Sequence, residues 1–257
     1  MLLAVDTGNT QTVLGLFDGD VLVSHWRMAT NPDRTSDEHA LVISQLLDLE
    51  GHAPEVAVTG MAVSSTVPTV TATLRAMSRR WFPVPTVVIE PGVRSGVAIL
   101  ADNPREVGPD RVANTVAVSA LFGGPAIVVD FGTSTNFDVV SARGEYLGGA
   151  IVPGIEISLD ALFARAAALR RVELVEPRSV IGRTTVECIQ SGALYGYTEL
   201  VDGMCRRIRA ELGECTVVAT GGLSGLISPL SATIDHHEPW LTLHGLRLVF
   251  ERNTVDE

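Results

Sequence analysis

The chain has 257 residues, 30 of them acidic and 19 basic, for a net charge of −11; this argues against nucleic acid as the main partner, because a phosphate backbone needs a basic face. All nineteen basic residues are arginine, and the lack of lysine removes Walker-type phosphate binding, Schiff-base catalysis and pyridoxal-phosphate attachment together. No apolar run reaches membrane-spanning length, and strand-like residues start at Leu2 with no charged leader, so no membrane partner and no signal peptide is expected and the setting predicted is cytoplasmic.

The first half opens as three strands, over 2–6, 11–17 and 20–28. The first ends in Asp6-Thr7-Gly8-Asn9-Thr10, and Asp18-Gly19-Asp20 turns the second into the third. A short acidic residue at a strand end can order a metal ion or its waters, and glycine lets the backbone approach a phosphate. Thr35-Ser36-Asp37-Glu38 reads as a helix start. A strand over Val56–Val63, a helix from Pro68 to about Trp81 and a strand over Val84–Ile89 follow. The order β-β-β-α-β-α-β predicts a ribonuclease-H-like unit. Pro109 suits a first helical position, which places Asp110 and Arg111 in the first turn of a helix running to about Leu121. An acid there serves as a dipole partner or cap as readily as a catalytic group.

The second half repeats the first. Strands are expected over 126–130, 135–141 and 145–152, and Asp130-Phe131-Gly132-Thr133-Ser134 echoes the first turn at close to half-chain spacing. Arg143-Gly144-Glu145 then matches Asp18-Gly19-Asp20. A strand–acidic turn–strand opening each half predicts a duplicated domain, residues 1–118 and 119–257, with the last helix packing back on the first half. Further helices are expected over Glu156–Leu169, ending at Arg170-Arg171, and over Val186–Leu212. The latter carries Ser191, Gly192, Ala193 and Gly196, small residues that suit close packing, within the chain or against a second subunit. Val217 to Ser224 reads as strand, glycine turn and helix, whose start offers N–H groups to an anion. His236 and His237 read as a solvated loop, Leu241–Arg252 as a final helix, and Cys188, Cys205 and Cys215 as reduced thiols without a metal.

The motif set resembles the type III pantothenate kinases, of the superfamily that includes sugar and acetate kinases, actin and the heat-shock chaperone ATPase. The matching stretches are Asp6–Thr10, Asn103–Arg111, Asp130–Thr135, Gly148–Gly154, Ile181–Thr185, Thr220–Gly222 and Leu241–Leu246. The resemblance implies an α/β fold of duplicated ribonuclease-H-like domains, mixed sheets flanked by helices, with an ATP cleft between the halves. It implies ATP-dependent phosphorylation of pantothenate, the first step of coenzyme A synthesis. By the family match, Asp6, Thr7, Gly8, Asn9, Thr10, Gln11, Thr12, Val13 and Thr133 bind ATP, and Asp6 holds magnesium, directly or through water. Asp130 holds a monovalent cation, potassium or ammonium. Gly108, Pro109, Asp110, Arg111 and Thr185 contact pantothenate, Asp110 is the base, and the protein is a homodimer. Because phosphoryl transfer is mainly positioning and charge neutralisation, the cation is expected to supply charge that a lysine supplies elsewhere. The chain departs from the family pattern at three positions: Pro109 stands for the usual alanine, Ala101 for a tyrosine that contacts pantothenate, and Ser134 for alanine. These departures keep two alternatives in view: a non-catalytic nucleotide-binding relative, and an enzyme acting on another small hydroxylated acid.

Overall fold

The computed structural model describes residues 1–166 and 169–254, apart from the Glu55 side chain. Its elements are β1 (Leu2–Thr7), β2 (Gln11–Asp18), β3 (Val21–Ala29), α1 (Ser36–Leu49), α2 (Pro54–Ala57), β4 (Gly60–Ser65), α3 (Pro68–Trp81), β5 (Thr86–Val88) and α4 (Pro109–Leu121). There follow β6 (Ala126–Phe131), β7 (Ser134–Val140), β8 (Tyr146–Pro153), α5 (Ile155–Arg165), α6 (Thr185–Leu212), β9 (Thr216–Thr220), α7 (Ser224–Ile227), β10 (His236–His237) and α8 (Leu241–Thr254). They form two units: Met1–Ala117 with the residues from Leu241 onward, and Val118–Trp240.

In the first unit the sheet order is β3-β2-β1-β4-β5. Strand β1 is antiparallel to β2 and parallel to β4. Leu3, Val5, Leu14 and Leu16 alternate with the pleat and meet Ile43 and Leu47 of α1 and Leu74 and Met77 of α3. Helix α1 starts on a reciprocal cap: Glu38 N–H donates to the Thr35 hydroxyl, and the Thr35 N–H donates to the Glu38 carboxylate at 2.7 Å. Helix α8 packs on β1, β2 and β4. Two strand glycines make room for it: a Cβ on Gly15 would lie 2.7 Å from Leu243, and one on Gly60 would overlap the Phe250 ring.

The second unit repeats this plan with order β10-β9-β6-β7-β8. Counted from the strand that carries the aspartate, both sheets run third, second, first, fourth, fifth. Ile127, Val129, Phe131 and Phe137 pack on Leu194, Val201 and Cys205 of α6. Gly19 and Gly144, the turn glycines matched in the sequence, both have positive φ, 61° and 77°, where glycine carries no steric cost.

The structure corrects several expected elements. Pro54–Ala57 is a helical turn, so the strand expected from Val56 begins at Gly60. Helix α5 ends at Arg165, short of Leu169, and Arg170-Arg171 do not cap it; Ala167 and Ala168 lie outside the described residues. The pair His236-His237 is an edge strand parallel to β9, not a loop. The helix after the Thr220-Gly221-Gly222 turn is a single turn of four residues, too short to carry an anion site at its start.

Candidate active site

The first acidic turn grows out of the β1–β2 ladder. Asp6 lies at the end of β1, half-buried, in register with Val13 and Ser64. The Gly8 N–H donates to Gln11 O at 2.9 Å and closes the turn. Thr7 and Thr12 are buried. Thr12 Oγ1 lies 2.9 Å from Thr30 Oγ1, and Thr30 in turn donates to Gly8 O at 2.8 Å. These hydroxyls therefore brace the turn from below, while Asn9, Thr10 and Gln11 are its exposed members and Val13 is half-buried. Among the described residues no three His, Cys, Asp or Glu side chains gather as a metal cage. One carboxylate beside an exposed turn suits magnesium, which binds through one or two carboxylates, waters and substrate phosphates.

The second turn is one residue tighter. The Gly132 N–H donates to Ser134 O at 3.0 Å, two residues on, where Gly8 reaches three. Ser134 thus takes the place of Gln11 at the start of the returning strand, and Thr133 alone fills the span of Asn9-Thr10. The Ser134 hydroxyl donates to Asn136 Oδ1 at 2.9 Å. Asp130 is in register with Asn136 and Thr220. Two glycines support this turn. Gly154 N–H donates to Thr133 O at 3.0 Å, and a Cβ there would lie 2.5 Å from Gly132 O. Gly221, at φ +91°, would set a Cβ 2.5 Å from Asp130 Oδ1 and 2.7 Å from Phe131 O. The Phe131 backbone nitrogen would lie equally near that Cβ, at 2.7 Å, so the glycine packs tightly against Asp130 and Phe131, whose carboxylate and carbonyl oxygens both lie on this side. Of these atoms, the two oxygens are the kind of donor that suits a monovalent cation, which exchanges hydration for carbonyl oxygens.

Asp110 sits in the first turn of α4 with Pro109 ahead of it. The residue is half-buried, but its Oδ1 is buried and makes no hydrogen bond. Burial raises its pKa; the N–H of Arg111, the Arg111 guanidinium and its own N–H pull the other way without overcoming it. The carboxylate folds over Gly108, where any Cβ would collide with Oδ1. Pro109 and Val112 of the same helix line a cavity of about 770 Å³ in this unit. Its walls include Pro68 and Ala72 of α3, Ile89 and Val93 after β5, and Pro104 and Val107 before α4. Arg75 and Glu90, joined as an ion pair, also line it. Ala101 is half-buried in the loop before α4.

Thr185 is the first residue of α6 and is exposed. The cap of that helix is the preceding Thr184, whose hydroxyl accepts from Glu187 N–H at 3.2 Å. Of the small residues on α6, Ser191 and Ala193 are buried within the unit, and Gly192 and Gly196 are exposed. The three cysteines are free thiols, and burial pushes that of Cys205 up to about 11. The supporting roles of Gly154 and Gly221 were missed in the sequence. The signal was present as glycines at strand ends, but what a glycine approaches is a property of the fold.

The sequence profile of the type III pantothenate kinase family matches residues 2–207. A type III pantothenate kinase of Acidothermus cellulolyticus is 57% identical over 258 residues, covering 100% of both chains. One from Parafrankia is 59% identical, covering 99% of each. Solved structures share the fold at low identity. A Campylobacter jejuni protein described as a Baf family transcriptional activator has TM-score 0.62 and 16% identity, over 98% of both chains. The ROK hexokinase of Thermus thermophilus has TM-score 0.51 and 15% identity, over 100% of this chain and 99% of that one. With two like sheets, an aspartate turn opening each, an aspartate on α4 with one buried oxygen and full-length relatives of one name, the chain belongs to the type III pantothenate kinase family.

Proposed function

We propose that the chain transfers the γ-phosphoryl group of ATP to the terminal hydroxyl of pantothenate, giving 4′-phosphopantothenate, the first step of coenzyme A biosynthesis. One observation above all supports this reading in the structure: the buried, unbonded Oδ1 of Asp110 on the helix whose Pro109 and Val112 line a cavity. A carboxylate with one oxygen buried and unbonded is poised to orient a substrate hydroxyl in line and accept its proton late in a loose transition state. Gly108, Pro109 and Arg111 are its companions at the substrate, with Arg111 suited to the pantothenate carboxylate and Thr185 as a further contact. The turn from Asp6 through Val13 holds the ATP phosphates through Gly8, Asn9, Thr10 and Gln11, with Thr7 and Thr12 bracing it, and Thr133 contacts the nucleotide. Magnesium at Asp6 and a potassium or ammonium ion at Asp130 would supply positive charge to the phosphates. The setting is the cytoplasm.

The same reading carries a homodimer. Val180, Ile181 and Val186 are exposed beside the start of α6, and an added Cβ at Gly192 or Gly196 would meet nothing within 4 Å. Exposed glycines and exposed apolar side chains of this kind would suit contact with a second copy. Sedimentation should give twice the 27.3 kDa chain mass, falling to one chain in a Gly192→Arg, Gly196→Arg variant; a monomeric wild type would dismiss it.

The deciding experiment measures ADP release with ATP, magnesium, potassium and pantothenate. Turnover that requires pantothenate supports the reading. Nucleotide binding without pantothenate-dependent turnover would mark a non-catalytic relative and end it.

A further inference from the structure

We propose that the Ser224–His237 pair is a positioning device: it holds the Gly221 turn against Asp130 and so sets how tightly the Asp130 cradle binds its monovalent cation. The inference rests on the cation reading of Asp130 given above, and neither Ser224 nor His237 takes part in the phosphoryl transfer.

Ser224 is 1% exposed. Its Oγ lies 2.6 Å from Gly221 O and 2.8 Å from His237 Nε2. A hydroxyl has one proton, and a carbonyl oxygen only accepts. The Ser224 proton therefore goes to Gly221 O, and His237 must donate from Nε2. Nε2 carries a proton in that neutral tautomer and in the imidazolium alike, so the link does not depend on the charge of the ring.

Gly221 is the residue on which the arrangement turns. Its carbonyl accepts from the Ser224 hydroxyl and, at 3.2 Å, from the Ser224 N–H. Its Cα faces Asp130 Oδ1 so closely that a Cβ would lie 2.5 Å away. The turn is also tied to β6 by Leu223 N–H donating to Phe131 O at 3.4 Å. His237 has its own anchor: it is in register with Ala219 on β9, and Glu238 N–H donates to Ala219 O at 2.9 Å. An exposed edge strand is thus joined by two successive hydrogen bonds to the carbonyl of the residue that bounds the cradle. A plain solvated histidine would have no reason to donate to a buried serine.

The test uses the full chain and four variants: His237→Ala, His237→Gln, Ser224→Ala and Ser224→Thr. The first readout needs no turnover. Melting temperature is followed against KCl without nucleotide, with tetramethylammonium chloride holding ionic strength constant. The second is kcat and the half-activating KCl concentration in the kinase assay. Wild type should melt higher as KCl rises. His237→Ala and Ser224→Ala should raise the half-saturating KCl about fivefold, the effect of losing one ordinary hydrogen bond, with kcat at saturating KCl within about twofold. His237→Gln and Ser224→Thr, which keep a donor in place, should return most of the affinity. A wild type whose melting ignores KCl would remove the cation reading itself. A KCl-responsive wild type whose alanine variants keep its half-saturation, whether or not they melt lower throughout, would overturn the positioning role alone.

Discussion

The Oδ1 of Asp110 is buried and unbonded, and the cause of its raised pKa is burial itself. The sign of the consequence separates the two roles that an acid in a first helical turn can play. A carboxylate whose folded pKa lies above its unfolded one binds the proton more tightly when folded. Stability then falls as pH rises through that interval, and the full cost remains at neutral pH. Asp110→Asn should therefore lower kcat about 10²- to 10⁴-fold, the usual worth of a general base, and raise the midpoint of urea unfolding at pH 7. Loss of both activity and stability would make Asp110 a helix cap instead. The residue was legible in the sequence from its place after Gly108-Pro109, but its burial was not, because that depends on how the carboxylate folds over Gly108. His39 shows the same limit more sharply. In sequence it is one polar position of α1; in the fold it is 1% exposed with neither ring nitrogen hydrogen-bonded. Burial, helped by Arg34 and opposed by Glu38, lowers its pKa from 6.5 to about 4. The unfolded chain binds the proton first as pH falls, so stability is intact above about pH 6.5 and drains away toward pH 4, by about 3 kcal/mol at most. The difference between wild type and His39→Leu, measured by chemical unfolding at pH 7 and pH 4.5, should isolate that slope; parallel pH curves would refute it.

Elements were legible where periodicity and punctuation agree. Helix α1 starts after its cap Thr35, and α3 and α4 start at Pro68 and Pro109, as cap and proline rules require. They were misjudged where composition and context part: Val56 is strand-like, yet Pro54 opens a turn of helix there, and the alanine-rich stretch after Arg165 does not extend α5 as far as Leu169. Long-range polar anchors were not legible at all. Asp202 reads as one more acid along α6, yet it is 3% exposed. Its Oδ1 accepts from Ser231 Oγ at 2.5 Å and Thr233 Oγ1 at 2.7 Å, and its Oδ2 from Ala232 N–H at 2.9 Å. Burial pushes its pKa up, but these donors together hold the carboxyl below its ordinary value. Asp202→Ala would strand buried donors and should cost about 3 kcal/mol, with faster amide exchange at residues 231–234. A loss under about 1 kcal/mol would mean that water replaces the carboxylate.

At the scale of the molecule, the duplication was readable because two Asp-x-Gly turns stand half a chain apart, and the sheets confirm it strand for strand. The pairing of α8 with β1, β2 and β4 has no local mark beyond the expectation that the last helix returns. Its consequence is that the two units depend differently on the chain. The second, Val118–Trp240, is one continuous segment; the first is completed only by residues from Leu241 onward. Leu241, Leu243, Leu246 and Val249 are all at most 1% exposed. At about 2 kcal/mol for each buried aliphatic side chain, removing them forfeits about 8 kcal/mol, as much as the whole net stability of a typical domain. A chain ending at Trp240 should therefore lose amide protection across β1–β5 while β6, β7 and β9 keep theirs, and residues 118–240 expressed alone should retain a cooperative melt. Protection of β1 in the truncated chain would show that the first sheet stands without α8. The glycines at 15 and 60 would then need another reason than the close approach of Leu243 and Phe250.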